Sequence, residues 1–444
     1  MVIKRDIKKT ILLFIILTLL FISGCYDSIE VDDMAYVVSI GFDKGINGNL
    51  RMTLLFAVPV AVGVGVEIGE IGESTTIFTV EAPTIFGGMN IANTVLSKRV
   101  NFSHAKLIII SSELAREGVE KYINAFIRFR EFRPHMYLGI SRGSAGEFLK
   151  NTKTILEVNP AKHFELLFES YEYTGLLPNS RLEDFYTKME CTCDQPVAAL
   201  LDVSRLEDTN DLQADLSAAK TTDRDIVMEG DYKAGEIPVV FDTKINSMGM
   251  AVFKADRMVG ELNGRETLLY LIVTGNLVNA VYSLPDPEKK TSASGIFQDK
   301  TEKINYISIR LSQARKPFIT VKMKQDIPSI SLHVSLEGDI LSVDSDTDYS
   351  TGEELAQLEE YMSGYLEKDI LEFMEKTRDV FNSDICATGK SIKKTFLLWD
   401  DWINFRWMDK YEKSEFQVYA KVSIRRSGIT IKQIPVQHLK GEAK

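Results

Sequence analysis

The feature that most constrains this chain is its N-terminal segment, which decides what part of it is free to fold and on which side of a membrane. Lys4, Arg5, Lys8 and Lys9 give residues 2–9 a positive charge. Thr10 to Ile22 are then apolar except for Thr10 and Thr18. A bilayer-spanning helix needs about 20 apolar residues, so this run is short for a permanent span and suits the core of a signal peptide. It ends Ile22-Ser23-Gly24-Cys25, an aliphatic residue and two small ones before a cysteine. Small side chains there fit a peptidase pocket, and only a thiol can take a diacylglycerol thioether. Residues 1–24 are therefore expected to be a lipoprotein signal peptide and Cys25 the lipidated residue. A secretory signal with a chance cysteine, or an uncleaved anchor, is the alternative. Each buried lipid methylene contributes roughly 0.8 kcal/mol, so two or more chains hold a protein firmly on a membrane.

The chain of 444 residues is too long for one typical core, and two or three domains are expected. Its net charge of −11 argues against nucleic acid as a partner and against broad electrostatic attachment to anionic lipid. Beyond Tyr26 no apolar run reaches spanning length. With Cys25 assigned to lipid, Cys191, Cys193 and Cys386 remain. Two residues' separation strains a disulfide between Cys191 and Cys193, and no histidine lies near them, so unpaired thiols are expected and no metal site.

Apolar runs and turn residues predict a hairpin of Ala35–Phe42 and Arg51–Val58, then a strand over Thr76–Val80. Val62–Glu73 lacks the third glycine of a nucleotide loop and reads as an edge loop. Helical spacing appears over Thr84–Leu96, followed by a strand over Ala105–Ser111. A helix capped by Ser112 and running to about Phe129 comes next, then a strand over Met136–Ile140. Pro160–Tyr173 is helical. Gly249–Phe253 and Met258–Leu262 form a second hairpin, and Glu266–Leu271 starts a short helix. Ile304–Leu311, Phe318–Lys324 and Ser329–Glu337 read as three strands of a meander. Glu353–Phe381 is a long amphipathic helix whose Leu355, Leu358, Met362, Leu366, Ile370 and Phe373 suit core packing. Glu415–Arg425 is a closing strand. The class is α+β and multi-domain, with mixed sheets, packed helices, and an antiparallel meander and long helix in the C-terminal domain. The expected organisation is residues 1–24 signal peptide, 25–205 an N-terminal α+β region, 206–245 an acidic boundary, 246–432 a C-terminal α+β domain and 433–444 a tail.

Catalytic chemistry is not written in this sequence. His104, His135, His163, His333 and His438 are scattered without metal-ligand spacing, and no nucleophile elbow, phosphate loop or zinc-protease helix occurs. Trp399, Trp402 and Trp407, with Phe396 and Phe405, form an aromatic cluster best read as packing beneath the final strand. No catalytic, cofactor-binding or metal residue is assigned, and no enzyme activity is expected.

Several blocks resemble the Ger(x)C family, the lipoprotein C subunits of nutrient germinant receptors in spore-forming bacteria. Gly24-Cys25-Tyr26-Asp27 resembles the family's Gly-Cys-Trp-Asp start, and Gly41-Phe42-Asp43-Lys44 its hairpin. Asn101-Phe102-Ser103-His104-Ala105-Lys106, Glu113-Leu114-Ala115-Arg116-Glu117-Gly118 and Glu172-Tyr173-Thr174-Gly175 with Pro178 follow in family order. Gly249-Met250-Ala251-Val252-Phe253-Lys254 with Met258-Val259-Gly260 resembles the opening of its C-terminal domain. The sequence departs at Tyr26, where tryptophan is usual, and at Asp384-Ile385-Cys386-Ala387-Thr388-Gly389-Lys390, where the family has a Phe-Gly-Phe-Gly-like turn. The tail beyond Ile431 has no family counterpart. The resemblance implies a non-enzymatic subunit on the outer surface of the spore inner membrane, acting with two integral-membrane subunits to start germination. A solute-binding lipoprotein serving a transporter is the rival, and an extracytoplasmic hydrolase a third class.

Overall fold

The computed structural model describes residues 11–16, 18, 30–58, 75–206, 228–287, 305–345, 347–349 and 352–426. Cys25, the loop expected over Val62–Glu73, His438 and the tail 433–444 lie outside the described residues. So do residues 207–227 of the expected boundary, while 228–244 contain neither helix nor strand.

β1 (Met34–Lys44) and β2 (Leu50–Ala57) pair as the expected antiparallel hairpin, and β3 (Thr75–Ala82) extends it. β4 (Arg99–Asn101), β5 (Leu107–Ser111), β6 (Tyr137–Ser141) and β7 (Val197–Val203) follow as parallel strands. β8 (Ile245–Lys254) and β9 (Arg257–Leu262) add an antiparallel hairpin beyond β7. The sheet runs β3-β2-β1-β5-β6-β7-β8-β9, with β4 beside the start of β1. The sequence reading does not include β7, because a short continuous run such as Val197-Ala198-Ala199-Leu200-Leu201 suits buried strand and buried helix equally.

Both faces of this sheet are covered, as central parallel strands require. One face packs against α1 (Ile85–Val95), α2 (Ser112–Glu117) and α3 (Glu120–Arg128). The other packs against α4 (Ala145–Lys150) and α5 (Pro160–Glu169), through Phe148, Leu149, Phe164 and Phe168. The single helix expected from Ser112 to Phe129 is two. Ser111, not Ser112, caps α2, and Gly118 ends it with φ 123°. A Cβ at Gly118 would stand 2.5 Å from an Asp256 carboxylate oxygen, so the helix cannot run on with an ordinary residue there. Short helices α6 (Tyr171–Thr174) and α7 (Leu182–Glu190) complete this half.

After β9, α8 (Gly264–Thr274) carries the chain to a second sheet of β10 (Ala280–Pro285), β11 (Tyr306–Lys324), β12 (Ile327–Val343) and β13 (Glu415–Arg426). The order is β10-β11-β12-β13, antiparallel except for the parallel β12–β13 pair. The two strands expected over Ile304–Leu311 and Phe318–Lys324 are one, β11, whose register against β12 shifts between Gln313 and Phe318. The broken apolar alternation there marks an irregularity within a strand, not an end. The long helix α9 (Gly352–Asp379) buries Leu358, Met362, Leu366, Ile370 and Phe373 against this sheet. Its Glu359, Ser363 and Glu367 accept the backbone N–H groups of Ile424, Val422 and Ala420. Acceptors one helical turn apart thus satisfy the free edge of β13, which would otherwise offer unpaired donors.

The Gly41-Phe42-Asp43-Lys44 motif is explained by its contacts with α4, about a hundred residues along the chain. A Cβ on Gly41 would press to 3.1 Å on Ala145, so glycine lets α4 sit against β1. Asp43, buried, accepts from the Ala145 and Gly146 N–H groups, both at 2.8 Å, and from the Ser144 hydroxyl at 3.0 Å. Removing a buried cap of this kind costs about 1–3 kcal/mol. Asp43→Ala is expected to lower unfolding stability by that amount in chemical denaturation, and wild-type stability in the variant would remove the cap from the account of α4.

Candidate functional site at the junction of the two sheets

α7 ends at Glu190, and Cys191-Thr192-Cys193-Asp194-Gln195 leads directly into β7. The segment facing it runs from Phe381 through Asp384 to α10 (Gly389–Lys393), followed by α11 (Trp399–Phe405) and α12 (Trp407–Tyr411). Asp384–Lys390 therefore lies where the two halves meet.

Asp384 is the centre of this meeting point. Fully buried, it accepts from the Thr388 N–H at 3.0 Å and hydroxyl at 2.9 Å, the Gly389 N–H at 2.8 Å and the Trp407 indole N–H at 2.8 Å. Its backbone carbonyl accepts from Gln195 N–H at 3.0 Å, and the neighbouring Ser383 hydroxyl donates to the Phe253 carbonyl at 2.6 Å. Asp194, equally buried, accepts from the Lys390 ammonium at 2.7 Å and lies 3.9 Å from that of Lys188. Lys188 in turn donates to the Tyr270 hydroxyl of α8 at 2.9 Å. Two buried carboxylates are tolerable only because each is surrounded by donors. Burial nevertheless pushes the Asp384 carboxyl up to about 6, against the donors and with help from nearby Asp194.

The cysteines are arranged differently from the sequence expectation. Cys191 and Cys193 form a disulfide with a Cα–Cα separation of 5.2 Å. That separation lies inside the ordinary range for a disulfide, so the turn between α7 and β7 brings the two residues together despite their closeness in sequence. Cys386 is a buried free thiol, and burial, with Asp384 and Asp194 nearby, pushes its pKa well up, keeping it neutral and a poor nucleophile. The tryptophans divide. Trp402 and Trp407 are buried with Cys193, Ile330, Ile392 and Tyr411, as packing beneath the final strand requires, and Trp402 donates to the Thr192 hydroxyl at 2.7 Å. Trp399 is exposed.

Beside the junction opens a cleft of about 420 Å³ whose lining includes Tyr171, Arg181, Asp184, Lys188, Tyr270 and Asn276. Arg181 is already committed, donating to the His135 carbonyl and lying over the Tyr137 ring. Among the described residues no group of three or more His, Cys, Asp or Glu side chains could hold a metal ion. His135 pairs with Glu183 at 2.7 Å, His333 stacks on Tyr419, His104 meets the edge of Tyr36, and His163 packs beside Phe164. Among the described residues, His104, His135, His163 and His333 are not gathered into one site.

The raised carboxyl carries a pH signature. Asp384 binds its proton more tightly folded than unfolded, so its contribution to stability is full below about pH 4 and declines as pH rises to about 6, by roughly 3 kcal/mol. Asp384→Asn is expected to abolish that decline in denaturation curves taken across this window. An unchanged slope would place the titration elsewhere.

Comparison with known proteins gives a consistent result. The family described as "Spore germination protein N-terminal domain" matches residues 27–203, and "Spore germination B3/GerAC like, C-terminal" matches residues 248–428. Spore germination protein KC of Bacillus subtilis is 22% identical over 441 residues, covering 97% of this chain and 98% of that protein. Spore germination protein GerQC of Bacillus cereus is 20% identical over 427 residues, covering 95% and 99%. The crystal structure of the GerBC protein superposes with a TM-score of 0.47 at 15% identity, covering 87% of this chain and 96% of that one. With both halves matched in order and the relatives aligned nearly end to end, the chain belongs to the Ger(x)C family of spore germination proteins.

Proposed function

We propose that this protein is a lipid-anchored, non-enzymatic subunit of a nutrient germinant receptor, held at the outer surface of the spore inner membrane by Cys25 and working by assembly with two integral-membrane subunits. The observation that carries the reading is the match of both spore-germination domains, in order, and the basic then apolar residues 2–22 followed by Ser23-Gly24-Cys25 are read with it as a lipoprotein signal. The linked junction is compatible with it: Lys390 bound to buried Asp194, and the Gln195 N–H bound to the Asp384 carbonyl, join the two family domains into one body for assembly. Among the described residues no helix is long and apolar enough to cross a membrane, which leaves the lipid as the attachment in this reading. Tethering acts by raising the local concentration for assembly beside the membrane partners.

Cys25→Ala is expected to move the protein from the membrane to the soluble fraction and to abolish or strongly slow nutrient-triggered germination, leaving the thermal unfolding of the body unchanged. Membrane retention in that variant would sink the tether. The cleft lined by Lys188, Asp184 and Tyr270 favours a second reading, a solute-binding lipoprotein serving a transporter. Calorimetric titration of the purified protein with amino acids and sugars separates the two: tight binding without membrane partners supports the second reading, and silence supports the first.

A further inference from the structure

We propose that the exposed Leu397-Leu398-Trp399 tip is a second membrane contact, one that dips into the lipid headgroup and upper acyl region beside the N-terminal tether. The inference rests on the lipid-anchored reading given above. It begins with sheet register. β1, β5, β6 and β7 are parallel, with Ser39 level with Leu107, Leu107 with Tyr137, and Gly139 with Ala199. The segment leading into β1 and the Cys191–Gln195 segment leading into β7 therefore leave the same end of the sheet. β1 and β7 are three strand spacings apart, about 14 Å. From Cys25 to Met34 the chain can reach at most about 30 Å. A lipid on Cys25 thus keeps the start of β1 within about 30 Å of the bilayer surface.

The tip is fixed at that same end. Trp402 is hydrogen bonded to Thr192 at 2.7 Å, and Phe396 packs on Trp402 and Phe405 with ring centroids 5.5 and 5.0 Å apart. With Phe396 and Trp402 holding its inner side, the connection between α10 and α11 presents the next three side chains outward. Leu397 is 99% exposed, Leu398 65% and Trp399 57%, and Ile403 one turn along α11 is 41% exposed. Three consecutive large apolar side chains on a rigid base are costly in water. The Lys393 ammonium lies 4.6 Å from the centroid of the Trp399 ring, with Lys394 exposed beside it. Tryptophan with lysine at its rim is the composition of a membrane–water interface, where the ring sits among headgroups and the lysine stem reaches back to water. Lys390 and Lys410 are paired with Asp194 and Asp326, and the remaining Lys393, Lys394 and Arg406 of α10–α12 are matched in number by Asp400, Asp401 and Asp409, so apolar insertion, and not attraction to anionic lipid, drives the contact. This agrees with a chain whose net charge is −11.

The test uses the full lipidated protein in phosphatidylcholine vesicles, with and without brominated acyl chains. Of the three tryptophans, Trp402 and Trp407 are buried, leaving Trp399 as the exposed reporter. Bromolipid is expected to quench the emission component that Trp399→Phe removes, since a ring at the headgroup level lies within reach of the acyl chains. Leu397→Asp with Leu398→Asp should abolish that quenching, while unchanged emission from Trp402 and Trp407 shows that the body is still folded. Equal emission in both vesicle types, with the protein still floating with the vesicles, overturns the inference and leaves the tether intact. Failure to float with the vesicles overturns the tether and the inference together.

Discussion

α8 has no face that can be left in water. Thr267, Leu268, Leu269, Tyr270, Leu271, Ile272 and Val273 are all buried, and a helix apolar all round must be enclosed. Two surfaces enclose it. Met250, Val252 and Leu262 at the far edge of the first sheet belong to the same core as Leu284, Ile307, Ile309 and Leu336 of the second and as the α9 stripe. Neither sheet alone could cover α8, so burying it commits the two halves to a fixed arrangement. Its ends are specified as carefully as its sides. Asn263 and Glu266 form a reciprocal capping box at the start, and Gly275 ends it in the left-handed region at φ 74°. In the first turn, Arg265 pairs with buried Asp369 of α9, whose carboxylate also accepts from Tyr282 at 3.0 Å. Such a buried pair adds little net stability, but an incorrect packing of α9 would leave an uncompensated charge.

Tyr270 links that apolar centre to the polar junction. Its ring is part of the α8 core, while its hydroxyl accepts from Lys188, which approaches Asp194. The chain thus places a dry helix between its sheets and joins its flank to a network in which nearly every strong polar group has a partner. The disulfide at Cys191–Cys193 tightens the turn that presents Asp194 and packs Cys193 on Trp402 and Trp407.

How much of this was legible in the sequence follows from how local each cause is. The β1–β2 hairpin, α1 and α9 could be read because their periodicity and caps act within a few residues. The break at Gly118 could not, because its cause is Asp256, far along the chain. β7 was hidden because an apolar run buried on both faces loses the alternation that identifies a strand. The short α8 could be anticipated, but its burial depends on two surfaces that meet only in three dimensions. The disulfide was misread because sequence separation is a poor guide where a turn shortens the Cα–Cα distance to 5.2 Å. The junction had one sequence signal, the departure from the family pattern at Asp384–Lys390, and nothing local pairs Asp384 with Trp407 or Lys390 with Asp194.

The polar character of the Asp384–Lys390 segment has a physical consequence for how the two halves are held. Asp384 holds its own segment together through four donors from Thr388, Gly389 and Trp407, while Lys390 bound to Asp194 and the Gln195 N–H bound to the Asp384 carbonyl join that segment to the other half. Apolar packing tolerates small shifts, because dispersion has little direction. Hydrogen bonds to a buried carboxylate do not, since a displaced donor leaves a charge uncompensated in a low-dielectric site. Gly389 shows how little freedom remains: a Cβ there would stand 2.5 Å from the Trp407 indole nitrogen and 2.8 Å from the Cys193 carbonyl oxygen. The junction of this protein is therefore more directional than an apolar turn would be. The first-sheet edge, α8, the second sheet and the α9 stripe share one core, so the directional junction and the dry helix fix the same arrangement of the two halves.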